Sequence, residues 1–269
     1  MNLILTSQNT FFTDIFRPMR ENFVIHSNYT HLGSELKELL LSFSEKGEYI
    51  AKGRNEIKKM ELDGITLNIK KFKTPNSFQS LVYRFLRKSK AKRSYEYALK
   101  LIELEIKTPF PVAYFEAFSG GLKESFYVSE HVEYDFDFRE LIHQPKFENR
   151  KEILKQFTRF TFKLHQNGVN FLDHSPGNTL IIDKGQGKYE FYLIDLNRMR
   201  FEPMSFKKRM HNFRRLWLSK KMIKIMAEEY AKLYSKSIKE TTQLMTKYSR
   251  SFQKKINSKK MRRRAKMRS

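Results

Sequence analysis

The hydrophobic repeat changes period partway along the chain, and that change constrains the fold more than any other feature. Ile65, Leu67 and Ile69 alternate with Thr66, Asn68 and Lys70, the two-residue period of a half-buried strand. Asp63-Gly64 before them is a hairpin turn signal, and the preceding EYIAKGRNEIKKMEL supplies two more strands. Phe78, Leu81, Val82, Phe85 and Leu86 then recur at helical spacing, continued by Tyr95, Ala98, Leu99 and Ile102, until Pro109 and Pro111 stop the pattern. VAYFEAF and SFYVSEHV flank Gly120-Gly121 as a further hairpin, so residues 44–131 read as β-β-β-α-β-β. The second half is mostly helical. Ile153, Phe157, Phe160 and Leu164 make one helical face ending near Gly168, and residues 205–253 continue in helical period. A single hairpin, TLII and YEFYLID around DKGQGK, interrupts it. The class is α+β: a 1–43 N-terminal extension, a 44–131 sheet lobe with one main helix, a 132–253 helical lobe and a 254–269 basic tail.

Charge narrows the partners. Lys and Arg number 53 against 29 Asp and Glu, a net charge of +24. The tail, KKINSKKMRRRAKMRS, holds nine of these cations and no acid, leaving +15 on the body. Such a surface attracts anions, including lipid headgroups and nucleic acid, and the tail carries too few apolar side chains to pack. No nucleic-acid-binding motif accompanies the charge, which argues against nucleic acid as the partner. The absence of cysteine removes disulfides, thiolate zinc sites and cysteine nucleophiles, and fits a reducing compartment. The N-terminus lacks the basic start and apolar core of a signal peptide, and no apolar run is long enough to span a bilayer. The expected location is the cytoplasm.

The chemistry concentrates in residues 164–182, LHQNGVNFLDHSPGNTLII. Asp173 and Asn178 lie five residues apart on a loop between a helix and a strand, a spacing that lets both face one cleft. One can accept a proton from a nucleophilic hydroxyl while the other holds a hard divalent cation through oxygen. The following hairpin ends on Asp195 and would return it beside Asn178. Three oxygen-bearing side chains would then converge, a donor set suited to Mg²⁺ bridging phosphates. His165 reads as a structural residue holding the loop, and His174 has no second histidine at metal-ligand spacing.

This stretch is similar to the catalytic loop of protein-kinase-like phosphotransferases, which reads H-R-D-L-x-x-x-x-N and is followed by D-F-G. By overall pattern the chain resembles the bacterial lipopolysaccharide core kinases, the Kdo and heptose (WaaP-type) family. The shared features are NIKKFK on a strand, RKSKAKRSYEYALKL followed by TPFPVAY, and DHSPGN followed by LIDLNR. The resemblance implies a protein-kinase-like bilobal fold and an ATP- and Mg²⁺-dependent transfer to a hydroxyl of Kdo, or heptose, on a lipid A-linked acceptor. It implies that Lys70 contacts the α/β-phosphates, that Glu96 pairs with Lys70, and that the backbone at Glu130 and Val132 binds adenine. Asp173 would be the catalytic residue, and Asn178 and Asp195 the metal ligands. The basic tail would meet the anionic cytoplasmic face of the inner membrane.

The departures from the family pattern matter. Leu172 stands where the arginine of H-R-D would be, and D-F-G becomes Asp195-Leu196-Asn197. No A-P-E follows, so there is no evident platform for a protein substrate, which favours a small or lipid-linked acceptor over an atypical Ser/Thr protein kinase. No G-x-G-x-x-G precedes Lys70, so the phosphates would need another cover, drawn from Arg54 or Lys58. Arg87, Lys88, Lys90, Lys92 and Arg93 form either a solvated helix face or an anion site. A non-catalytic basic nucleic-acid-binding protein is the alternative from another class.

Overall fold

The computed structural model describes residues 3–5, 19–76, 83 and 87–267. Two compact units divide it, one holding the described residues up to Glu103 with Thr108–Val132, the other Leu104–Lys107 with Glu133 onward.

The first unit is a seven-stranded antiparallel sheet. Its strands are β1 (Leu3–Leu5), β2 (Arg20–Ile25), β3 (Glu48–Lys52), β4 (Glu56–Leu62), β5 (Ile65–Lys71), β6 (Pro111–Phe118) and β7 (Leu122–Glu130). They lie in the order β1-β2-β6-β7-β5-β4-β3. The expected β-β-β-α-β-β is β3 through β7, with helix α2 (Lys90–Glu103) between β5 and β6. The helical stripe expected from Phe78 to Leu86 lies outside the described residues. Asp63 and Gly64 both take positive φ, 49° and 72°, which matches the twist of the two strands they join.

Alternation along the strands sorts side chains between two cores. Leu67 and Ile69 on β5 face a cluster with Phe115, Phe126, Val128 and helix α1 (Gly33–Leu41), which contributes Leu36 and Leu40. On the other face, Val24, Phe72, Ala91, Tyr95 and Tyr114 pack around α2. Phe23 and Ile25 of β2 join the first cluster and Val24 the second. β2 runs from three polar residues into three that are buried on alternate faces, so it carries no two-residue alternation in hydrophobicity.

One expected role fails here. Lys58, a candidate for covering phosphates, is 2% exposed. Its Nζ donates to the carbonyls of Phe43 at 2.7 Å, Lys46 at 2.7 Å and Ser44 at 3.3 Å. The side chain ties off the loop after α1, so nothing of it remains for a ligand. Lys58→Met leaves three carbonyls without their donor and should lower unfolding stability by about 3 kcal/mol. Urea denaturation measures this, and a change within half a unit of zero would contradict the assignment.

The second unit has a core on α4 (Arg150–Gln166) and α6 (Lys220–Tyr234), where Ile153, Leu154 and Phe157 meet Met222, Ile223, Met226 and Tyr230. Around it lie β8 (Phe136–Asp137), α3 (Phe138–His143), β9 (Val169–Phe171), β10 (Thr179–Asp183), β11 (Tyr189–Leu193), β12 (Met199–Phe201) and α5 (Phe206–Asn212). The expected hairpin is β10–β11, with β8 added beside β10. Helix α7 (Ile238–Lys266) is capped by Ser237 on the N–H of Glu240 at 3.4 Å. It continues as helix through the basic tail, which the composition had set apart as a separate segment. Lys, Arg and Met are good helix formers and no Gly or Pro interrupts them, so the helix propagates although residues 257–267 are exposed.

Candidate active site

The loop carrying Asp173 is built from backbone pairing at both ends. Gly168 follows α4 at φ 68°, and its carbonyl accepts from Glu202 N–H at 2.8 Å. A side chain on Gly168 would sit 2.9 Å from that same residue's carbonyl, so glycine is required. β9 then pairs antiparallel with β12, Phe171 opposite Met199. Leu172 N–H donates to Arg198 O at 2.9 Å, which brings Arg198 across from Asp173. Ser175 N–H donates to Asp173 O at 2.7 Å, and a short 3-10 turn over Pro176–Asn178 closes the loop.

Asn178 turns back onto the loop, its Nδ2 donating to Asp173 O at 2.8 Å. That bond commits the amide nitrogen and orients Oδ1 as the group to offer a cation. The hairpin register, Thr179 opposite Leu193, continues into Ile194 N–H donating to Asn178 O at 3.1 Å. Asp195 is therefore next in chain to a residue bonded to Asn178, as the hairpin argument required. Asp195 sits at φ 57°, and its Oδ1 accepts from Asn197 Nδ2 at 2.7 Å. Asn197, where the kinase pattern has glycine, thus holds the Asp195 carboxylate.

Asp173 meets two arginines that the sequence reading did not single out. Arg215 Nη2 lies 2.6 Å from Oδ1 and Arg198 Nη1 lies 3.5 Å from Oδ2. Arg198 belongs to the LIDLNR segment, so its position was in view. Arg215 comes from a 3-10 turn, Phe213–Leu216, with no local signal that it returns to the loop.

Beneath the loop, Asn212 organises four contacts. Its Nδ2 donates to Phe171 O at 2.9 Å and Asn170 Oδ1 at 3.1 Å. Its Oδ1 accepts from His174 Nδ1 at 2.9 Å and His165 Nε2 at 3.3 Å. Because a backbone carbonyl only accepts, the Phe171 bond fixes the amide orientation and hence both histidine tautomers. His165 Nδ1 then accepts from Tyr230 O–H at 2.8 Å. Burial, partly offset by the Asn212 bond, pushes His165 down to about 3 and His174 down to about 4. Both are neutral structural supports.

The other candidates belong to the first unit. Lys70 sits opposite Tyr127 on β7, on the α2 face of the sheet, with Nζ 5.3 Å from the Phe72 ring centre. Lys71 takes the opposite face and pairs with Glu124 at 2.6 Å. Glu96 on α2 accepts from Lys88 Nζ on both oxygens, at 3.0 and 2.8 Å, a partner not anticipated. Glu130 closes β7, its carboxylate taking the Tyr29 hydroxyl and its N–H donating to Phe110 O at 2.9 Å. Val132 is the last residue of this unit. Arg54, Lys73, Arg87 and Lys90 line a cavity of about 650 Å³ with Phe72 and Tyr83, so part of the basic cluster faces a concave surface.

Comparison with known proteins places this fold. A solved structure described as WaaP in complex with acyl carrier protein is similar over 86% of this chain and 98% of that one, at 16% identity and a TM-score of 0.59. The likeness carries the fold, an α+β protein of kinase-like type with an antiparallel sheet preceding a helical part. The model of the lipopolysaccharide kinase (Kdo/WaaP) family matches residues 58–236, and the chain belongs to that family. No curated protein matches it in sequence. Membership carries phosphotransferase chemistry in lipopolysaccharide core assembly and, for a kinase family, the use of ATP.

Proposed function

We propose that the chain transfers the γ-phosphoryl group of ATP, with Mg²⁺, to a hydroxyl of Kdo, or of heptose, on a lipid A-linked acceptor. The observation that carries this is the backbone-linked set of Asp173, Asn178 and Asp195 in a member of the lipopolysaccharide kinase family. Asp173 accepts the proton of the acceptor hydroxyl as that oxygen bonds to phosphorus and the bond to the departing ADP oxygen breaks. Asn178 Oδ1 and the Asp195 carboxylate would hold the cation. These are hard oxygens, and no cluster of three His, Cys, Asp or Glu occurs among the described residues. A donor set this small suits Mg²⁺, which takes its remaining ligands from phosphates and water. When bound, the cation neutralises charge on the transferred phosphates.

Lys70 contacts the α/β-phosphates, and Glu96, whose oxygens also take Lys88, orients it; at Glu130 any contact to the adenine edge runs through the carbonyl, because its N–H is spent on Phe110. Val132 offers the neighbouring backbone. The exposed Lys and Arg of α7 draw the protein to the anionic cytoplasmic face of the inner membrane, each cation near the surface contributing about 1 kcal/mol. No helix among the described residues is long and apolar enough to cross a membrane.

The test is incubation with labelled ATP and Mg²⁺ against Kdo–lipid A, a heptose-extended acceptor and generic protein substrates, with mass spectrometry of the products. One added phosphate on the Kdo acceptor is the expected product. Label on protein substrates with none on the sugars would replace this reading with a protein kinase.

A further inference from the structure

Two guanidinium groups pair with Asp173 and a third stands on the same short turn as one of them, so one carboxylate does not balance the charge. Arg215 lies 2.6 Å and Arg198 3.5 Å from its two oxygens. Arg214 is the third. Its charged form is disfavoured first by burial, then by the charges of Arg215 and Arg198, and Asp173 relieves this in part. Its Nη1 is tied to His211, to the carbonyl at 3.0 Å and to Nδ1 at 3.2 Å, neither of them an anion. The Nε of Arg215 is buried with no hydrogen-bond partner among the described residues. Like charges held together at this density are costly unless an anion joins them.

The cluster is also held in place. Leu172 N–H fixes the Arg198 backbone at 2.9 Å. Arg214 and Arg215 share the short turn before Trp217, whose φ of 55° ends it. Helix α7 backs that turn, with Phe252 5.4 Å from the Arg215 guanidinium and Tyr248 edge-on to His211 at 5.0 Å. Arg198, by contrast, is 54% exposed and reaches Asp173 only at 3.5 Å. It can turn to an incoming anion while Arg215 keeps its closer hold on the carboxylate.

We infer that Arg198, Arg214 and Arg215 form an oxyanion site beside Asp173 that binds an acidic group of the acceptor and so selects an anionic sugar. The inference rests on the kinase reading above and adds to it the residues that read the acceptor. The shared chemistry is a carboxylate or phosphate oxyanion taken by forked guanidinium donors. A sugar-acid carboxylate and a phosphate already on the lipid-linked acceptor are the two sources.

The test uses the full chain and separates binding from transfer. Calorimetry would measure free Kdo, its neutral methyl ester and inorganic phosphate against wild type, Arg198→Gln, Arg214→Gln and Arg198→Lys. Loss of one charge-assisted contact should weaken the favoured anion about 10-fold to 100-fold in each Gln variant, with partial recovery in Arg198→Lys. Weak binding of the ester identifies the carboxylate as the source. Equal binding of acid and ester, with phosphate bound and lost in the variants, identifies the phosphate. In transfer assays the KM for the acceptor should rise by a similar factor, with the affinity for ATP unchanged. Acid, ester and phosphate that bind alike, or not at all, in wild type and variants would overturn the site, even if transfer proceeds. Anion binding that depends on these arginines, without transfer to any sugar, would keep the site and remove the kinase reading.

Discussion

Asp173→Ala should reduce phosphoryl transfer by roughly 10³-fold while ATP binding survives. The carboxylate is the candidate proton acceptor on the loop, since His174, like His165 of α4 beneath it, is buried and bonded to Asn212. The loop itself is shaped by the Asp173 backbone, whose carbonyl accepts from Ser175 N–H and Asn178 Nδ2. Removing the side chain therefore spares the turn. It does leave Arg198 and Arg215 without their counter-charge, so Asp173→Asn is the companion variant, keeping shape and a carbonyl oxygen while losing basicity. Product formation by both variants, beside nucleotide affinity from fluorescence and a thermal melt, separates lost chemistry from lost fold. A variant retaining a tenth of the wild-type rate would remove Asp173 from the role.

Acid should destabilise the second unit steeply. His165 and His174 are held at about 3 and about 4 in the folded chain against 6.5 when exposed. Depressed values mean that the unfolded chain binds protons the folded one refuses. Their contribution is complete above pH 6.5 and is lost as pH falls from there toward 4 and then 3. Between pH 7 and pH 5 the two together should cost about 4 kcal/mol. His174 adds a specific reason, because its Nε2 is buried without a hydrogen-bond partner among the described residues, so a proton there would be a donor facing no acceptor. Denaturant midpoints at pH 7, 6 and 5 measure the effect, and a flat profile would mean that these imidazoles are open to solvent.

The parts of this molecule that depend on local period were legible in the sequence. β4 and β5 with their Asp63-Gly64 turn, the buried face of α4 and the β10–β11 hairpin each carry their own repeat. The relation of Asp195 to Asn178 followed from hairpin geometry alone, because register fixes which residues return beside each other. Other elements carried no such signal. β2 has three polar residues followed by three apolar ones, and β9 and β12 are three residues each, too short to show alternation. Lys58 looked like any strand lysine, since the three carbonyls that claim it come from residues 43–46 on another element. Asn212 and Arg215 act on a loop some forty positions earlier, and contacts of that range leave no trace in spacing. The roles of Lys70, Glu96, Glu130 and Val132 came from the family resemblance, and their place in the first unit is a separate matter from those roles.

The last stretch of α7 has a consequence for how this protein would be held at a charged surface. Successive residues of a helix are about 100° apart in azimuth. Lys254, Lys255, Lys259, Lys260, Arg262, Arg263, Arg264 and Lys266 are consequently distributed around the whole circumference instead of along one stripe. Five of the eight fall within one 100° arc and the other three are spread over the remainder, so the rod is charged on every side with only a mild bias in roll angle. It can rest on a sheet of negative charge in any rotation, its grip spread over many equivalent side chains, so that neutralising any single one changes little and only the summed charge governs adhesion.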